Sequence, residues 1–318
     1  MATTLQTIVV ALGGNALVEP GEAPTIGTQF RSAHAAMQAI APLVAAGHRV
    51  VIAHGNGIQV GNILIRVEQA LGRAYALPLE VCVAESQGEI GYLLEQALHN
   101  ALAESGLRRP VVGVLTQVVV DPRDPAFLHP TKPVGPAFDR RGADALRRAG
   151  FAVVEEAGRG WRKVVASPRP REIVDVEPIG WLLERGAVVI AAGGGGVPVV
   201  RAPDGRLQGV PAVIDKDFAS ALLARAVGAR SLLILTGEPA VYLDYRQPGQ
   251  RPLRALDPQE ARRHAAAGHF PPGSMGPKIE SAVEFVEHGG EQALITSVAR
   301  LAAALRGEDG TTIAKQQS

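Results

Sequence analysis

The sequence predicts a three-layer α/β/α fold around a central, mostly parallel sheet. Short apolar runs alternate with longer segments of helical periodicity along most of the 318 residues, and several apolar runs end directly in glycine-rich turns. Strands that alternate with helices are typical of a parallel sheet covered on both faces. Because a chain of this length can be built around one sheet, we predict a single domain over residues 1–318.

The predicted strands are short and rich in β-branched residues, which favour a pleated, buried environment. We expect them at residues 7–12, 49–53, 111–120, 187–192, 231–235 and 292–296. The predicted helices show apolar residues at 3.6-residue spacing, and several end at a glycine. We expect them at residues 30–46, 58–71, 90–104, 179–185, 217–227, 258–267, 278–288 and 298–305.

Residues 121–170 interrupt this alternation. Five prolines fall between Pro122 and Pro136. Proline removes a backbone donor and fixes φ, so this region is predicted to hold neither a parallel strand nor a long helix. Loops of this length in a compact domain are usually functional or disordered. We interpret the region as an excursion from the sheet, a small protruding lid or flap, with a short helix within residues 142–150.

Composition excludes several classes of protein. The formal net charge is +1 and aromatic residues make up 4% of the chain, which disfavours a nucleic-acid or polybasic membrane binder. Cys82 is the only cysteine, so neither an internal disulfide nor a cysteine-based zinc site is possible. We find no apolar run of about 20 residues that could span a bilayer and no signal-peptide pattern. A cytoplasmic protein is therefore expected.

Three predicted strands end in glycine-rich turns, at residues 13–15, 55–57 and 193–196. The carboxyl ends of parallel strands meet at one edge of a sheet, where ligands bind. Glycine lets backbone amides approach an anion closely, and a following helix N-terminus adds partial positive charge. One such turn alone would be an ordinary strand-to-helix connection, but three on one edge predict a cradle for phosphate and carboxylate groups.

The glycine-rich turns do not match the two common nucleotide motifs. There is no G-x-x-x-x-G-K-[ST] sequence, which excludes a P-loop NTPase. There is also no G-x-G-x-x-G after the first predicted strand, which disfavours a dinucleotide-dependent dehydrogenase. The histidines show no metal-ligand spacing, so no protein-held metal site is predicted. His54 is interpreted as structural.

Lysine is rare: 5 of the 32 basic residues are lysine. Lys216 stands between Asp215 and Asp217 at a predicted helix start, where carboxylates would hold its ammonium group in place. Lys278 lies near another helix N-terminus, the end that favours anions over cations. Lys132 precedes a proline in residues 121–170. A capping aspartate beside an incidental lysine, or a solvated surface lysine, would also fit each position. Together, however, they predict a site that binds phosphate.

Segments spread over nearly the whole chain resemble the carbamate kinases of the amino acid kinase family. They are VALGGNA at residues 10–16, HGNG at 54–57, QVGN at 59–62, LTQVVVDP at 115–122, PTKP at 130–133, GRGWRKVV at 158–165, VPVV at 197–200 after four glycines, VIDKDFAS at 213–220, PGSM at 272–275 and PKIE at 277–280. The resemblance implies reversible phosphoryl transfer between ATP and carbamate, giving ADP and carbamoyl phosphate, with Mg²⁺, in a homodimer that serves arginine metabolism.

The resemblance also implies roles for individual residues. The acceptor and the transferring phosphoryl group would be bound by Gly13, Gly14, Asn15, Gly55, Asn56, Gly57, Gly194 and Gly195. The phosphate charge would be neutralised by three catalytic lysines, Lys132, Lys216 and Lys278, which Asp215 and Asp217 would orient. The nucleotide would be bound by Thr236, Gly237, Tyr242 and Met275. Acceptor-binding elements would therefore lie mainly in residues 1–120 and nucleotide-binding elements mainly in residues 187–318.

Two departures from the family pattern flank the expected acceptor loop. Ala53 stands where a serine is common, and Ile58 stands where a proline is common. Two alternatives therefore stay open: an enzyme of the same fold with a different small acid as acceptor, and a non-catalytic nucleotide-binding sensor.

Overall fold

A computed structural model describes residues 5–14, 25–148, 150–156, 160–271 and 273–315. The helices in these ranges are α1 (Ile26–Ala45), α2 (Gly57–Gln69), α3 (Leu79–Glu104), α4 (Arg140–Arg148), α5 (Val176–Glu184), α6 (Lys216–Ala226), α7 (Pro258–Ala266), α8 (Met275–Glu287) and α9 (Leu301–Leu305). The strands are β1 (Thr7–Leu12), β2 (Arg49–His54), β3 (Val111–Gly113), β4 (Gln117–Val120), β5 (Lys132–Phe138), β6 (Val153–Glu156), β7 (Gly160–Val165), β8 (Pro170–Ile173), β9 (Val188–Ile190), β10 (Val197–Arg201), β11 (Leu207–Gly209), β12 (Ser231–Thr236), β13 (Val241–Leu243), β14 (Arg251–Leu253), β15 (Ala255–Leu256), β16 (Gln292–Ser297) and β17 (Thr311–Ala314).

The main sheet has eight strands in the order β15-β17-β16-β12-β1-β2-β9-β3. The six strands from β16 to β3 are mutually parallel, whereas β17 runs antiparallel to β16. This mostly parallel sheet confirms the predicted α/β class. Since β1, β2 and β9 are neighbours, the three glycine-rich turns that follow them lie at the same edge.

Helices cover both faces of the main sheet, because successive side chains of a strand point to opposite faces. Along β1, Val9 and Ala11 pack into a core that includes residues of α5, α6, α7 and α8. Ile8, Val10 and Leu12 pack into a second core that includes residues of α1, α3 and α9. The predicted three-layer arrangement is confirmed.

The prediction of one long strand over residues 111–120 was wrong. The segment divides into β3, which pairs with β9 in the main sheet, and β4, which pairs with β8 and β10 in a separate four-stranded sheet. Between them the backbone of Thr116 is bound by a side chain: its N–H donates to Gln87 Oε1 at 2.9 Å and its carbonyl accepts from Gln87 Nε2 at 3.1 Å. The same carbonyl also accepts from the N–H of Val197 in β10 at 2.8 Å, so both backbone groups of Thr116 have partners at the point where the chain changes sheets.

The first eleven residues of α3 were missed by sequence analysis. The helix begins at Leu79, after Pro78, rather than at residue 90. Glu85, Ser86 and Gln87 interrupt the apolar pattern there. Ser86 and Gln87 are nevertheless buried, because both side chains bind partners inside the protein.

Part of the proline-rich region forms a three-stranded antiparallel sheet, in the order β5-β7-β6. We call β5, β6, β7 and α4 together the small sheet. Pro133 and Pro136 lie in β5, an edge strand with a register shift between Val134 and Phe138. Edge strands and irregular positions tolerate proline because they need fewer ladder hydrogen bonds. The strands here were not predicted, whereas the short helix was placed nearly correctly.

Phe285 of α8 is the largest fully buried side chain, at 0% exposure. Phe285→Ala is expected to lower the free energy of unfolding by about 3–5 kcal/mol, because the cavity adds to the lost apolar burial. Urea denaturation followed by circular dichroism measures this change. Leu128→Ala is the control, since Leu128 is 81% exposed and its truncation should change stability by less than about 0.5 kcal/mol. Equal losses in the two variants would contradict the assignment of Phe285 to the core.

Candidate active site

The loops after β1 and β2 meet at the carboxyl edge of the main sheet. The N–H of Gly55 donates to Leu12 O at 2.9 Å. A Cβ added to Gly55 would stand 3.4 Å from the amide nitrogen of Gly14 and 3.2 Å from Cδ of Lys216. Glycine at this position therefore lets the two loops and the Lys216 stem come together. Asn15 lies outside the described residues.

Lys216 and Lys278 share the carboxylate of Asp217. Lys216 Nζ donates to Asp217 Oδ1 at 2.6 Å, and Lys278 Nζ donates to Asp217 Oδ2 at 3.0 Å. Lys216 is the first residue of α6 and Lys278 lies in the first turn of α8. The N-termini of both helices therefore converge on the same carboxylate, and each helix adds partial positive charge.

Lys132 joins this cluster from β5 of the small sheet. Its Nζ forms an ion pair with Asp215 Oδ2. The other oxygen of Asp215 caps α6 by accepting from the N–H of Asp217 at 3.0 Å. The structure thus brings all five residues predicted as catalytic into one cluster, in which three lysines face two aspartates and leave a formal charge of +1.

The cluster is largely removed from water. Lys216 is 9% exposed and Asp217 is 2% exposed. Burial opposes ionisation of Asp217, but Lys216 and Lys278 outweigh it and hold the pKa of Asp217 below its usual value. In the same way Lys132 and Lys216 outweigh burial and hold the pKa of Asp215 well below its usual range. Both carboxylates are therefore ionised at neutral pH.

The two lysines on Asp217 differ in their surroundings. Burial, assisted by the neighbouring charge of Lys278, lowers the pKa of Lys216 below that of an ordinary lysine. Burial acts in the same direction on Lys278, but Asp217 outweighs it and raises the pKa of Lys278. Lys216 thus has the less stabilised ammonium group of the two, and an anion bound beside it would favour its charged form.

The four-glycine run forms a tight turn after β9. The N–H groups of Gly195 and Gly196 donate within the turn, to the carbonyls of Ala192 and Gly193, both at 3.0 Å. A Cβ on Gly194 would overlap the side-chain amide of Asn56. The side chain of Asn56 is itself tied to α3, where its Nδ2 donates to Ser86 Oγ at 2.8 Å. The run therefore lets this turn pack directly against the loop after β2.

Two of the four predicted nucleotide-binding residues lie at the carboxyl end of β12, at the same edge of the sheet. Thr236 ends β12 and Gly237 follows it, and a Cβ on Gly13 would stand 3.6 Å from Thr236 Cα. Met275 is the first residue of α8, the helix that carries Lys278. Tyr242 lies in the β13–β14 hairpin, where its ring centroid is 6.1 Å from that of Tyr245. Three of these positions therefore adjoin the glycine loops or the lysine cluster, whereas the described contacts of Tyr242 lie within its hairpin.

Sequence analysis missed Gln87, which organises the back of the site. Besides binding both backbone groups of Thr116, Gln87 Nε2 donates to Gly193 O at 2.9 Å. A polar amide on the apolar stripe of a helix is a signal for such a role, because a buried amide needs partners. Arg169 was also missed: its guanidinium lies 3.5 Å from the ring centroid of Phe218 in α6 and pairs with Glu280 and Glu284 of α8. It thus links the two helices that carry Lys216 and Lys278.

Among the described ranges, no group of three or more His, Cys, Asp or Glu side chains is placed to hold a metal ion. Over that same part of the chain, no helix is both long enough and apolar enough to cross a membrane.

Comparison with known proteins identifies the family. The model of the amino acid kinase family matches residues 6–297. The chain belongs to this family. The carbamate kinase of Pyrococcus furiosus is 45% identical over 309 residues, which cover 96% of this chain and 98% of that protein. A carbamate kinase-like protein of Escherichia coli is 46% identical over 314 residues, covering 98% and 99% of the two chains.

A solved structure agrees with these relatives. The carbamate kinase from Giardia lamblia bound to AMP-PNP matches the fold with a TM-score of 0.90 at 40% identity, covering 99% of this chain and all of that one (100%). The resemblance to carbamate kinases that the motifs indicated is therefore confirmed.

His54 ends β2 beneath the four-glycine turn and is 1% exposed. Its Nδ1 lies 3.1 Å from Gly55 O, yet burial lowers the pKa of the ring to about 4. The unfolded chain, with an ordinary histidine pKa of about 6.5, binds this proton first as the pH falls. The contribution of His54 to stability is thus full above about pH 6.5 and is lost progressively down to about pH 4.

We expect His54→Gln to remove this pH dependence. The loss of unfolding free energy between pH 6.5 and pH 4 should be smaller in the variant by up to about 3 kcal/mol. Urea denaturation at a series of pH values measures it, with His34→Gln on the surface of α1 as the matched control. Parallel curves for the wild type and His54→Gln would contradict a buried neutral His54.

Proposed function

We propose that the chain is a carbamate kinase, which transfers a phosphoryl group reversibly between ATP and carbamate to give ADP and carbamoyl phosphate. The observation that carries the proposal is the cluster of Lys132, Lys216 and Lys278 on two ionised aspartates, beside the glycine loops at the carboxyl edge of the sheet. The cluster occurs in a chain that is 45% identical to a carbamate kinase over nearly its full length.

The chemistry needs charge stabilisation more than proton transfer. A carbamate oxygen forms a bond to the γ-phosphorus of ATP while the bond from that phosphorus to the bridging oxygen breaks, and ADP leaves. Carbamate is already an anion, so its attacking oxygen needs no general base. This accords with His54, the histidine at this edge, which is buried and neutral at physiological pH. Catalysis then rests on positioning and on stabilising negative charge.

Each lysine would reach the phosphates from a different direction. The stem of Lys216 and the amide nitrogen of Gly14 both lie beside Gly55, within 3.4 Å of where its Cβ would stand, and an acceptor and the transferring group would meet there. Lys278 would approach from the nucleotide side, and Lys132 from the small sheet. Asp215 and Asp217 would keep the ammonium groups oriented before substrate arrives, so little reorganisation would be needed during the reaction.

The two halves of the chain would divide the substrates between them. Gly13, Gly14, Asn15 and the loop at residues 55–57 would bind carbamate or carbamoyl phosphate, with Gly194 and Gly195 behind them. ATP or ADP would bind along Thr236, Gly237 and Met275, with Tyr242 farther out. The adjacency of Gly13 to Thr236 supports this division, because it brings the first and second halves into contact at the point of transfer.

The residues present fit a Mg²⁺ ion that arrives with the nucleotide. The carboxylates of Asp215 and Asp217 already accept hydrogen bonds from lysines. Mg²⁺ at kinase sites is commonly held by substrate phosphates and water with one or two carboxylates. When bound, it would neutralise part of the phosphate charge. The phosphates, rather than a protein cage, would therefore carry the metal.

The two residues that depart from the family pattern, at positions 53 and 58, lie in different surroundings. Ala53 is 0% exposed and belongs to the apolar core on one face of the sheet, so it would alter packing rather than contact an acceptor. Ile58 is half-buried in the first turn of α2. A different small acid as acceptor, or a sensor without catalysis, would have to be recognised through Ile58 and the loop before it.

Lys216→Ala is expected to reduce kcat by about 10²–10³, the usual effect of removing one transition-state contact. The assay is ATP formation from ADP and carbamoyl phosphate with Mg²⁺, and chelation of the metal should abolish it. Lys315→Ala is the matched control, because Lys315 is an exposed lysine near the end of the chain. Circular dichroism checks that Lys216→Ala remains folded.

Each outcome of this assay has a distinct meaning. Turnover by the wild type that Lys216→Ala abolishes supports the proposal. Undiminished turnover in Lys216→Ala would contradict the role proposed for that lysine. No turnover in a wild type that still binds ADP would favour the other acceptor or the sensor, and Ile58→Pro would be the first variant to examine.

We further propose a cytoplasmic homodimer in arginine metabolism, as the resemblance implies. Strand β3 is an edge of the main sheet, and the neighbouring Tyr92 and Leu115 are 57% and 59% exposed. An open strand edge flanked by apolar side chains is a natural surface for a second copy.

We expect light scattering to give twice the chain mass for the wild type and the monomer mass for Tyr92→Glu. Trp181→Glu, at a similarly exposed position of α5, should stay dimeric.

A further inference from the structure

The small sheet packs against α2 through a third apolar core, separate from the two that flank the main sheet. Val134 of β5 is 1% exposed and lies in this core with Val60 and Ile63 of α2. Cys82 and Val83 of α3 complete it from behind. Helix α2 is thus packed between α3 and the small sheet, and we expect a change on its outer surface to displace the small sheet.

The backbones of α2 and β5 approach each other closely at Gly61 and Gly135. A methyl group on Gly61 of α2 would overlap the Cα and nitrogen atoms of Gly135 in β5. Gly135 has a φ of +74°, so glycine is required there for conformation. At Gly61, by contrast, glycine is required for space alone. The absence of a side chain at residue 61 therefore sets the distance between the helix and the strand.

A polar contact fixes the other end of this interface. Lys163 of β7 stands opposite Val134 in the strand register, and its Nζ pairs with Glu68 of α2 at 3.0 Å. Glu68 and Gly61 lie seven residues apart, two turns along the same face of the helix. The small sheet is thus held at two points on α2, of which the Gly61 contact is the nearer to the active site.

The Gly61 contact is directly connected to the catalytic cluster. Lys132, which pairs with Asp215, lies three residues before Gly135 on the same strand. Helix α2 begins four residues before Gly61, at Gly57, which is the last residue of the loop expected to bind the acceptor. Helix α2 therefore begins at the acceptor loop. One turn further along, at Gly61, it contacts the strand that carries Lys132.

We propose that Gly61 is a positioning residue. Because it has no side chain, β5 packs closely enough on α2 for Lys132 to reach Asp215 and the transferring phosphoryl group. The proposal rests on the phosphoryl-transfer function proposed above. Gly61→Ala would move β5 outward by about 1 Å, and a displacement of that size at a reacting group can cost about 10²-fold in rate. Helix stability is not the cause of the loss, because alanine favours a helix more than glycine does.

The test compares four variants with the wild type. Gly61→Ala should lower kcat by about 10- to 100-fold while leaving the KM for ADP unchanged, because the nucleotide would bind to the other half of the chain. Gly180→Ala is the matched control: Gly180 lies in α5 with no atom within 4 Å of an added Cβ, and its kcat should equal that of the wild type. Lys132→Ala and the double variant Gly61→Ala/Lys132→Ala complete a cycle.

The cycle separates positioning from a general structural effect. If Gly61 acts through Lys132, adding Gly61→Ala to Lys132→Ala should change kcat by less than twofold, since residues that act as a unit are not additive. Fully additive losses, or wild-type kcat in Gly61→Ala, would overturn the proposal.

Hydrogen exchange gives a second readout that does not depend on activity. Gly61→Ala should accelerate amide exchange in residues 132–138 while circular dichroism and exchange in the main sheet stay unchanged. Faster exchange in that strand supports the packing of β5 on α2 through Gly61, whether or not the wild type transfers a phosphoryl group to ADP. A wild type without that activity would count against the proposed function alone. Unchanged exchange would overturn the role of Gly61 in packing β5.

Discussion

The carboxylate of Asp217 is the interaction on which the site depends. It binds Lys216 from α6 and Lys278 from α8, two residues 62 positions apart in the sequence. Taking charges out of water is costly, and a buried ion pair often stabilises a fold no more than apolar residues of similar size would. Removing Asp217 would leave two like charges facing each other in a buried space. A buried cluster of charges at the edge where the glycine loops meet accords with a site that receives an anion.

The architecture explains how such distant residues meet. Parallel strands β1, β2, β9 and β12 all have their carboxyl ends at one edge, where α2 begins directly after β2 and where the first residue of α6, Lys216, lies beside Gly55. The loops can approach each other because glycine occupies the points of contact, as at Gly55 against Lys216 and at Gly194 against Asn56. Gln87 and Arg169 act behind this layer: the first binds the four-glycine turn, and the second holds α6 to α8. Rigid support of this kind is what a site based on positioning requires.

The small sheet adds a component that the main sheet cannot supply. Lys132 lies on a strand that packs into a third apolar core, with residues of α2 and α3, so its position depends on contacts made outside the two main cores. The contact involves Gly61 and Gly135, neither of which touches the lysine cluster in the described contacts. The position of Lys132 therefore depends partly on backbone packing several residues away, at a glycine that has no chemistry of its own.

The sequence by itself determined the fold class, the order of the parallel strands along the chain and the identity of the three lysines and two aspartates. These follow from periodicity and from local motifs, which act over a few residues. It did not determine the break between β3 and β4, the early start of α3 or the strands among the prolines, because each depends on a partner far away in the chain, such as Gln87 for Thr116. Only the tertiary structure decided that Asp217 serves two lysines, that Asp215 serves the third and that Gly61 supports β5. Such pairings depend on which separate segments the sheet and its helices bring into contact. A linear pattern of residues does not contain the distance in space between those segments.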